Sequence, residues 1–146
     1  MIDMGAAGRI AGLGLEEVRR LASIGFHGVL NGAAEPALRL FEGLTVLRPH
    51  ASCPRIGSAL ALLALGHPEE AARVLERAQA LQPDDDQVRV FLGMTLCFAD
   101  RAQHGCAVLA QLARGQADMP AARLARRLLR LPAAADRGAL CTTAGG

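Results

Sequence analysis

Tryptophan, tyrosine and lysine are absent from this chain of 146 residues, and all 16 of its basic residues are arginine. Without lysine, the chain has no phosphate-binding loop of the type that ends in Gly-Lys-Ser/Thr. A formal net charge of +2 gives no basic excess of the kind that marks nucleic-acid-binding proteins. Aromatic residues make up only 3% of a chain that is 51% hydrophobic. We therefore expect alanine, leucine and valine to build the core.

Long apolar runs are also lacking. The longest, from Ile56 to Gly66, is too short to cross a bilayer. The first residues do not join a basic region to an apolar stretch, so the sequence predicts no secretory signal. These absences predict a cytoplasmic protein without a membrane span.

The sequence contains no recognisable catalytic or metal-binding pattern. The four cysteines are scattered, without a Cys-x-x-Cys pair, and neither a Gly-x-Ser-x-Gly nor a His-Glu-x-x-His motif is present. Cys97, His104 and Cys106 lie close together and suggest a metal site. The alternative, which we favour, is that Cys97 is an apolar helix residue and the other two begin the next helix, since zinc sites use tighter ligand pairs. We expect no enzyme, no cofactor and no metal.

The stretch from Ser58 to Pro83 predicts two helices joined at Gly66-His67-Pro68. Apolar residues recur three and four positions apart on both sides of this corner, and Pro83 ends the second segment. A pair of amphipathic helices cannot bury both of its apolar stripes alone, so similar neighbours are expected.

A period of 34 residues supplies those neighbours. Moving along the chain by this distance superposes Phe41 on Leu75 and Pro49 on Pro83. The order of small residue, aromatic or leucine, and proline at this period resembles the tetratricopeptide repeat (TPR). The resemblance implies an all-α fold, a right-handed superhelical stack of three helix pairs with a C-terminal capping helix. The repeats fall at about 18–51, 52–85 and 86–119, and the capping helix at 120–131.

The resemblance implies a TPR domain at 15–131. Glycines without a helical period predict a flexible leader at 1–14, and small and polar residues after Pro132 predict a disordered tail at 132–146. The third repeat departs from the pattern at Gly105, where the other two have alanine. Its first helix follows the triplet Asp84 to Asp86, which we interpret as capping residues. The alternative for this triplet is a cation site.

In TPR proteins the first helix of each repeat lines the concave surface, where partners bind. Carried over to this sequence, the resemblance implies a partner-binding groove lined by Phe26, Val29, Leu30, Ile56, Leu60, Leu63, Val90, Met94, Cys97 and Phe98. The three- and four-residue steps independently place each repeat's set on one helical face. That face is apolar, whereas TPR proteins that clamp a peptide carboxylate need Lys, Arg and Asn there. A carboxylate receptor is therefore disfavoured.

A small three-repeat TPR protein with an apolar groove resembles the chaperones of bacterial type III secretion. The segment from Leu21 to Leu47, followed by Arg48-Pro49, is similar in layout to the first repeat of those chaperones. The resemblance implies a protein partner, an amphipathic helix of a secreted or apparatus subunit such as the needle subunit, and a second small chaperone as a further partner. Two alternatives stay open: a generic TPR scaffold or adaptor, and a self-associating protein or homodimer that covers its own apolar face.

Overall fold

The structure, a computed structural model, describes residues 12–131, and all regular secondary structure in that range is helical. The described helices are α1 (Leu15–Leu30), α2 (Ala34–Leu47), α3 (Ser52–Ala64), α4 (Pro68–Leu81), α5 (Asp86–Phe98), α6 (Ala102–Ala113) and α7 (Pro120–Leu129). The predicted all-α class is confirmed. The predicted tail at 132–146 and residues 1–11 of the predicted leader lie outside the described residues.

Glycines at positive φ end the first helix of two successive pairs. Gly32 has φ of +83° after α1, and Gly66 has φ of +81° after α3. Side chains with a β-carbon rarely adopt this conformation, so glycine is the residue that allows the chain to leave the helix there. The backbone N–H of His67 then donates to the carbonyl of Leu62 at 2.8 Å, which closes the turn into α4.

Asp85 caps the N-terminus of α5. One oxygen of its carboxylate accepts hydrogen bonds from the backbone N–H groups of Gln87 at 2.9 Å and Val88 at 3.2 Å. These N–H groups have no partner within the helix, so the side chain satisfies them. The capping interpretation of the aspartate triplet is confirmed. Among residues 12–131, no group of three or more His, Cys, Asp or Glu side chains is placed to hold a metal ion.

Each helix packs against the next one along the chain, and the odd-numbered helices also form a row. In this row α1 contacts α3, α3 contacts α5, and α5 contacts α7. The even-numbered helices α2, α4 and α6 make no comparable contacts with one another in the described part of the chain. The result is a stack of helix pairs, as predicted; the right-handed superhelical sense stays a prediction.

Three apolar clusters occupy the interior of this stack. The first, between α1 and α2, consists of Val18, Ala22, Ala37, Phe41 and Leu44. The middle cluster joins α3, α4 and α5 and includes Ile56, Leu75 and Leu92. The third joins α5, α6 and α7 and includes Val90, Cys97, Cys106 and Leu109. The middle and third clusters each join side chains from more than one helix pair, so neighbouring pairs stabilise each other.

The ring of Phe41 occupies space left free by two glycines. Phe41 is completely buried. A β-carbon at Gly25 of α1 would lie 2.6 Å from its ring, and one at Gly57 of α3 would lie 2.3 Å from it. The ring of Phe26 lies on another side, with centroids 4.8 Å apart. Phe41 therefore joins α2 to both α1 and α3 and has no room to move.

Gly105, the glycine that distinguishes the third repeat, is also required by close packing. A β-carbon at Gly105 would lie 2.5 Å from the carbonyl oxygen of Gly93 and 2.8 Å from the sulfur of Cys97. Because α5 and α6 cross this closely, the alanine found in the other repeats would not fit. Gly105 is thus a packing requirement of this helix crossing.

Arg101, just before α6, connects two helices that otherwise make few contacts. Its guanidinium donates to Glu76 at 2.7 Å and to Glu69 at 3.3 Å, both on α4. The hydrogen bond to Glu76 is the main cause that raises the pKa of Arg101. The three side chains are partly exposed, so each pair contributes at most about 1 kcal/mol to stability.

The wedged position of Phe41 leads to a prediction for Gly57→Ala. The added methyl group would collide with a ring that cannot move away, and overpacking of this kind costs about 1–3 kcal/mol. We expect a lower free energy of unfolding in urea denaturation, although alanine favours helix over glycine. The control is Gly43→Ala in α2, where a β-carbon meets nothing within 4 Å and stabilisation of about 0.5–1 kcal/mol is expected. Equal changes in the free energy of unfolding for the two substitutions would contradict the tight packing of Phe41 against Gly57.

The described cysteines differ in exposure. Cys53 is exposed, whereas Cys97 and Cys106 are buried in the third cluster. Partial burial at the start of α3 nevertheless raises the pKa of the Cys53 thiol above its usual value. A raised pKa lowers the thiolate fraction at a given pH, and the thiolate is the reactive form.

We therefore expect Ellman's reagent to modify Cys53 alone in a Cys141→Ser background under native conditions. The labelling rate should rise with pH, with a midpoint above that of an unperturbed thiol, because burial disfavours the thiolate. The variant Cys53→Ser should lose this reaction, and Cys97 and Cys106 should react only on unfolding. Rapid native labelling of Cys97 would place its side chain at the surface and contradict the structure.

Candidate functional site

Burial follows the repeat period along the row of odd-numbered helices. Residues 34 positions apart occupy equivalent places in α1, α3 and α5. Five such places lie along this side of the helices. The three equivalent residues have the same exposure at four of them, those of Arg19, Ala22, Phe26 and Leu30, and differ in exposure at that of Val29. The predicted site can therefore be described as levels, each with one residue from each helix. Two levels are exposed, one is half-buried, one is mixed and one lies in the core.

The level formed by Ala22, Ile56 and Val90 lies in the core. Ile56 is 4% exposed and belongs to the middle cluster, and Val90 is 1% exposed and belongs to the third. Cys97, at another level, is also buried in the third cluster. The inclusion of Ile56, Val90 and Cys97 in the accessible groove is therefore corrected. Each helix contacts several neighbouring helices. Residues that the sequence spacing places on one helical face are therefore divided between the core and the surface.

The remaining predicted residues are accessible. Phe26, Leu60 and Met94, 34 residues apart, are all half-buried. Val29 and Leu63 are likewise partly exposed. Four of them, all except Met94, pack against the buried clusters and keep part of their apolar surface accessible. The contacts of α3 with α1 and with α5 place the five residues on adjacent helices.

The C-terminal ends of the three helices form an apolar edge of this surface. Leu30 is 84% exposed and Phe98 is 51% exposed, with the exposed Ala64 at the equivalent place between them. Leu65, next in the chain, is also exposed. Large apolar side chains on three neighbouring helix ends are a feature of surfaces that bind other molecules.

The opposite edge of the row is more polar. It is formed by Arg19, Cys53 and Gln87, all exposed at the N-terminal ends of the same helices. Arg19 pairs with Glu16 of its own helix at 2.9 Å. The surface thus has an apolar side and a polar side, an arrangement that suits a ligand with two faces. We call the surface formed by Phe26, Val29, Leu30, Leu60, Leu63, Met94 and Phe98 the row surface.

The sequence analysis did not single out the glycine that allows this row to form. Gly57 lies between the buried Ile56 and Ser58 on α3, where the ring of Phe41 takes the place of a side chain. A glycine inside an otherwise regular helix was a usable signal, because such a glycine costs helix stability without a packing reason. No helix in the range 12–131 has the length and hydropathy that crossing a membrane requires.

Comparisons with known proteins agree with this architecture. Residues 29–93 match the family model described as tetratricopeptide repeat. The fold is similar to that of SycD, a type III secretion translocator chaperone of Yersinia enterocolitica, with a TM-score of 0.61. The match covers 89% of this chain and 91% of SycD at 16% sequence identity. A search of curated protein sequences finds no match.

At this level of identity the likeness to SycD establishes a shared fold and carries no partner or activity across. The repeat match contributes independently, because it covers α2, α3, α4 and most of α5. Proteins built from such repeats bind other proteins, and the apolar row surface is consistent with that class. Residues 29–93 thus match the tetratricopeptide repeat, and the chain as a whole shares its fold with SycD.

Proposed function

We propose that the row surface binds an amphipathic helix of a protein partner, and that the chain is a type III secretion chaperone that keeps this partner soluble before export. One observation carries the proposal: large apolar side chains on three adjacent helices are accessible, and two of them, Leu30 and Phe98, are at least half exposed. Soluble proteins seldom leave such a surface uncovered throughout their function.

An amphipathic helix fits this surface in size and chemistry. Its apolar residues, at steps of three and four, would contact the half-buried level of Phe26, Leu60 and Met94 and the apolar edge at Leu30 and Phe98. Its polar face would remain in water. Burial of about 500 Å² of apolar surface would release on the order of 12 kcal/mol before the cost of ordering. Met94 adds an unbranched side chain that adapts to different partners.

The likeness to SycD supports the more specific part of the proposal. SycD is described as a translocator chaperone, and this chain shares its fold along nine-tenths of both lengths. We propose a secreted or apparatus subunit, such as the needle subunit or a translocator, as the partner and the bacterial cytoplasm as the location. A second small chaperone would complete the complex in some systems of this type.

The exposed edge provides the test. We expect Leu30→Glu and Phe98→Glu each to weaken binding of the partner about 10- to 100-fold, because each removes the burial of one large apolar side chain, about 1.5–3 kcal/mol. Binding would be measured by co-expression with needle and translocator subunits of the same organism, followed by titration of the purified partner. Helical content by circular dichroism should be unchanged, since both positions are exposed.

The matched control is Leu81→Glu. Leu81 is 60% exposed at the end of α4, an even-numbered helix outside the row, so its substitution should leave binding intact. Equal loss with the control variant, or full binding by both edge variants, would refute the row surface as the binding site. A chain that binds none of these subunits yet joins two folded proteins would be a TPR adaptor instead.

A further inference from the structure

A hollow lies at the junction of the first two repeats. It has a volume of about 360 Å³ and is lined by α2 on one side and by α3 and α4 on the other. This volume is within the usual range of pockets that bind small molecules. None of the lining residues belongs to the row surface, so the proposed binding of a partner helix makes no use of the hollow.

The hollow combines apolar walls with two arginines. Arg55 on α3 and Arg77 on α4 line it, and Glu42 lies on the α2 side. Unlike Arg19 and Arg89, which form ion pairs, neither of these arginines has a carboxylate of residues 12–131 within 4 Å. The apolar part of the lining comes from all three helices and consists of Leu38, Leu62, Val74 and Leu81.

Ser58 adds a hydroxyl group to the same hollow. Its side chain lines the hollow although the residue is only 5% exposed. Thr45, on the α2 side, donates its hydroxyl hydrogen to the carbonyl of Phe41 at 2.8 Å, a common arrangement within a helix. Ser58 has no hydrogen-bond partner in the described part of the chain. Because a buried hydroxyl group without a hydrogen bond costs free energy, a ligand that accepts one from Ser58 gains affinity.

The third repeat shows which chemical group complements an arginine at this position. Arg89 and Gln111, 34 residues after Arg55 and Arg77, line an equivalent hollow formed by α5 and α6. The guanidinium of Arg89 donates to the carboxylate of Asp86 at 2.8 Å and to the side-chain oxygen of Gln111 at 3.3 Å. The third repeat therefore supplies its own carboxylate.

The second repeat replaces these internal acceptors. Ser52 stands at the position of Asp86, and Arg77 takes the place of a glutamine. Ser58 stands at the position of Leu92, which is buried in the middle cluster. Compared with its counterpart in the third repeat, the hollow between the first two repeats thus has more hydrogen-bond donors and one carboxylate fewer.

We propose that this hollow binds a small organic carboxylate with an aliphatic body. Its carboxylate accepts hydrogen bonds from Arg55 and Arg77, as Asp86 does from Arg89, and from the hydroxyl group of Ser58. Its aliphatic part packs on the leucine and valine side chains of the walls. Because Ser58 is almost fully buried, a ligand must enter the hollow to reach it, which favours a small molecule over a protein segment. The site does not depend on the partner proposed for the row surface.

Titration of the full chain with hexanoate tests this site, with the NMR chemical shifts of the backbone amides at Arg55, Ser58 and Arg77 as the readout. We expect saturable shifts, and binding of hexanol, which has the same aliphatic body without the carboxylate, to be at least about fivefold weaker. Arg55→Gln and Arg77→Gln should each weaken hexanoate binding about tenfold, since each removes a charge-assisted hydrogen bond. Neither arginine forms an ion pair with a described residue, so circular dichroism should show an unchanged fold.

Two further variants separate a specific site from a general effect of charge. Arg73→Gln removes an exposed arginine of α4 that does not line the hollow, and it should leave the affinity for hexanoate unchanged. Glu42→Gln removes a carboxylate that lines the hollow, and it should strengthen hexanoate binding about two- to fivefold because it removes repulsion between like charges.

The opposite results would overturn the proposal. They are the absence of saturable shifts, equal affinities for hexanol and hexanoate, or an equal loss of affinity in the Arg73→Gln variant. Tighter binding of the peptide acetyl-Leu-Glu-Leu-amide than of hexanoate would assign the hollow to an acidic protein segment and would also overturn the assignment to a small molecule.

Discussion

Close approach between helices at small residues is the constraint on which the rest of this structure depends. A chain with so few aromatic residues cannot fill wide gaps, so its helices must come near each other. Gly25 and Gly57 make room for the ring of Phe41, and Gly93 and Gly105 allow α5 and α6 to cross at backbone distance. These positions fix how each pair of helices sits on the next, and therefore how the odd-numbered helices form a row.

The row in turn decides what the surface can do. Because α3 contacts both α1 and α5, each of these helices loses part of its apolar stripe to the core and keeps the rest at the surface. The exposed part repeats at the same level in each helix, so single residues add up to a continuous apolar edge. The architecture thereby turns a packing pattern into an accessible apolar surface, the surface that we propose binds a partner.

Much of this could be read from the sequence because it depends on local rules. Periodic apolar residues and glycine corners predicted the helices, and the triplet at Asp84 to Asp86 predicted a cap that Asp85 provides. The composition of the row surface also followed, since residues at steps of three and four share a helical face. The sequence did not show which residues of that face are buried in the core and which are accessible. Ile56 and Phe98 satisfy the same pattern, yet one is buried and the other is exposed.

The sequence by itself thus determined the all-helical class, the period of 34 and the apolar character of the candidate site. Only the tertiary structure decided which apolar residues are accessible, why Gly105 replaces an alanine, and that Arg101 connects α6 to α4. The physical reason is that helix formation depends on neighbours within a few residues of the chain. Burial and close approach depend on neighbours from other helices, whose positions no single repeat specifies.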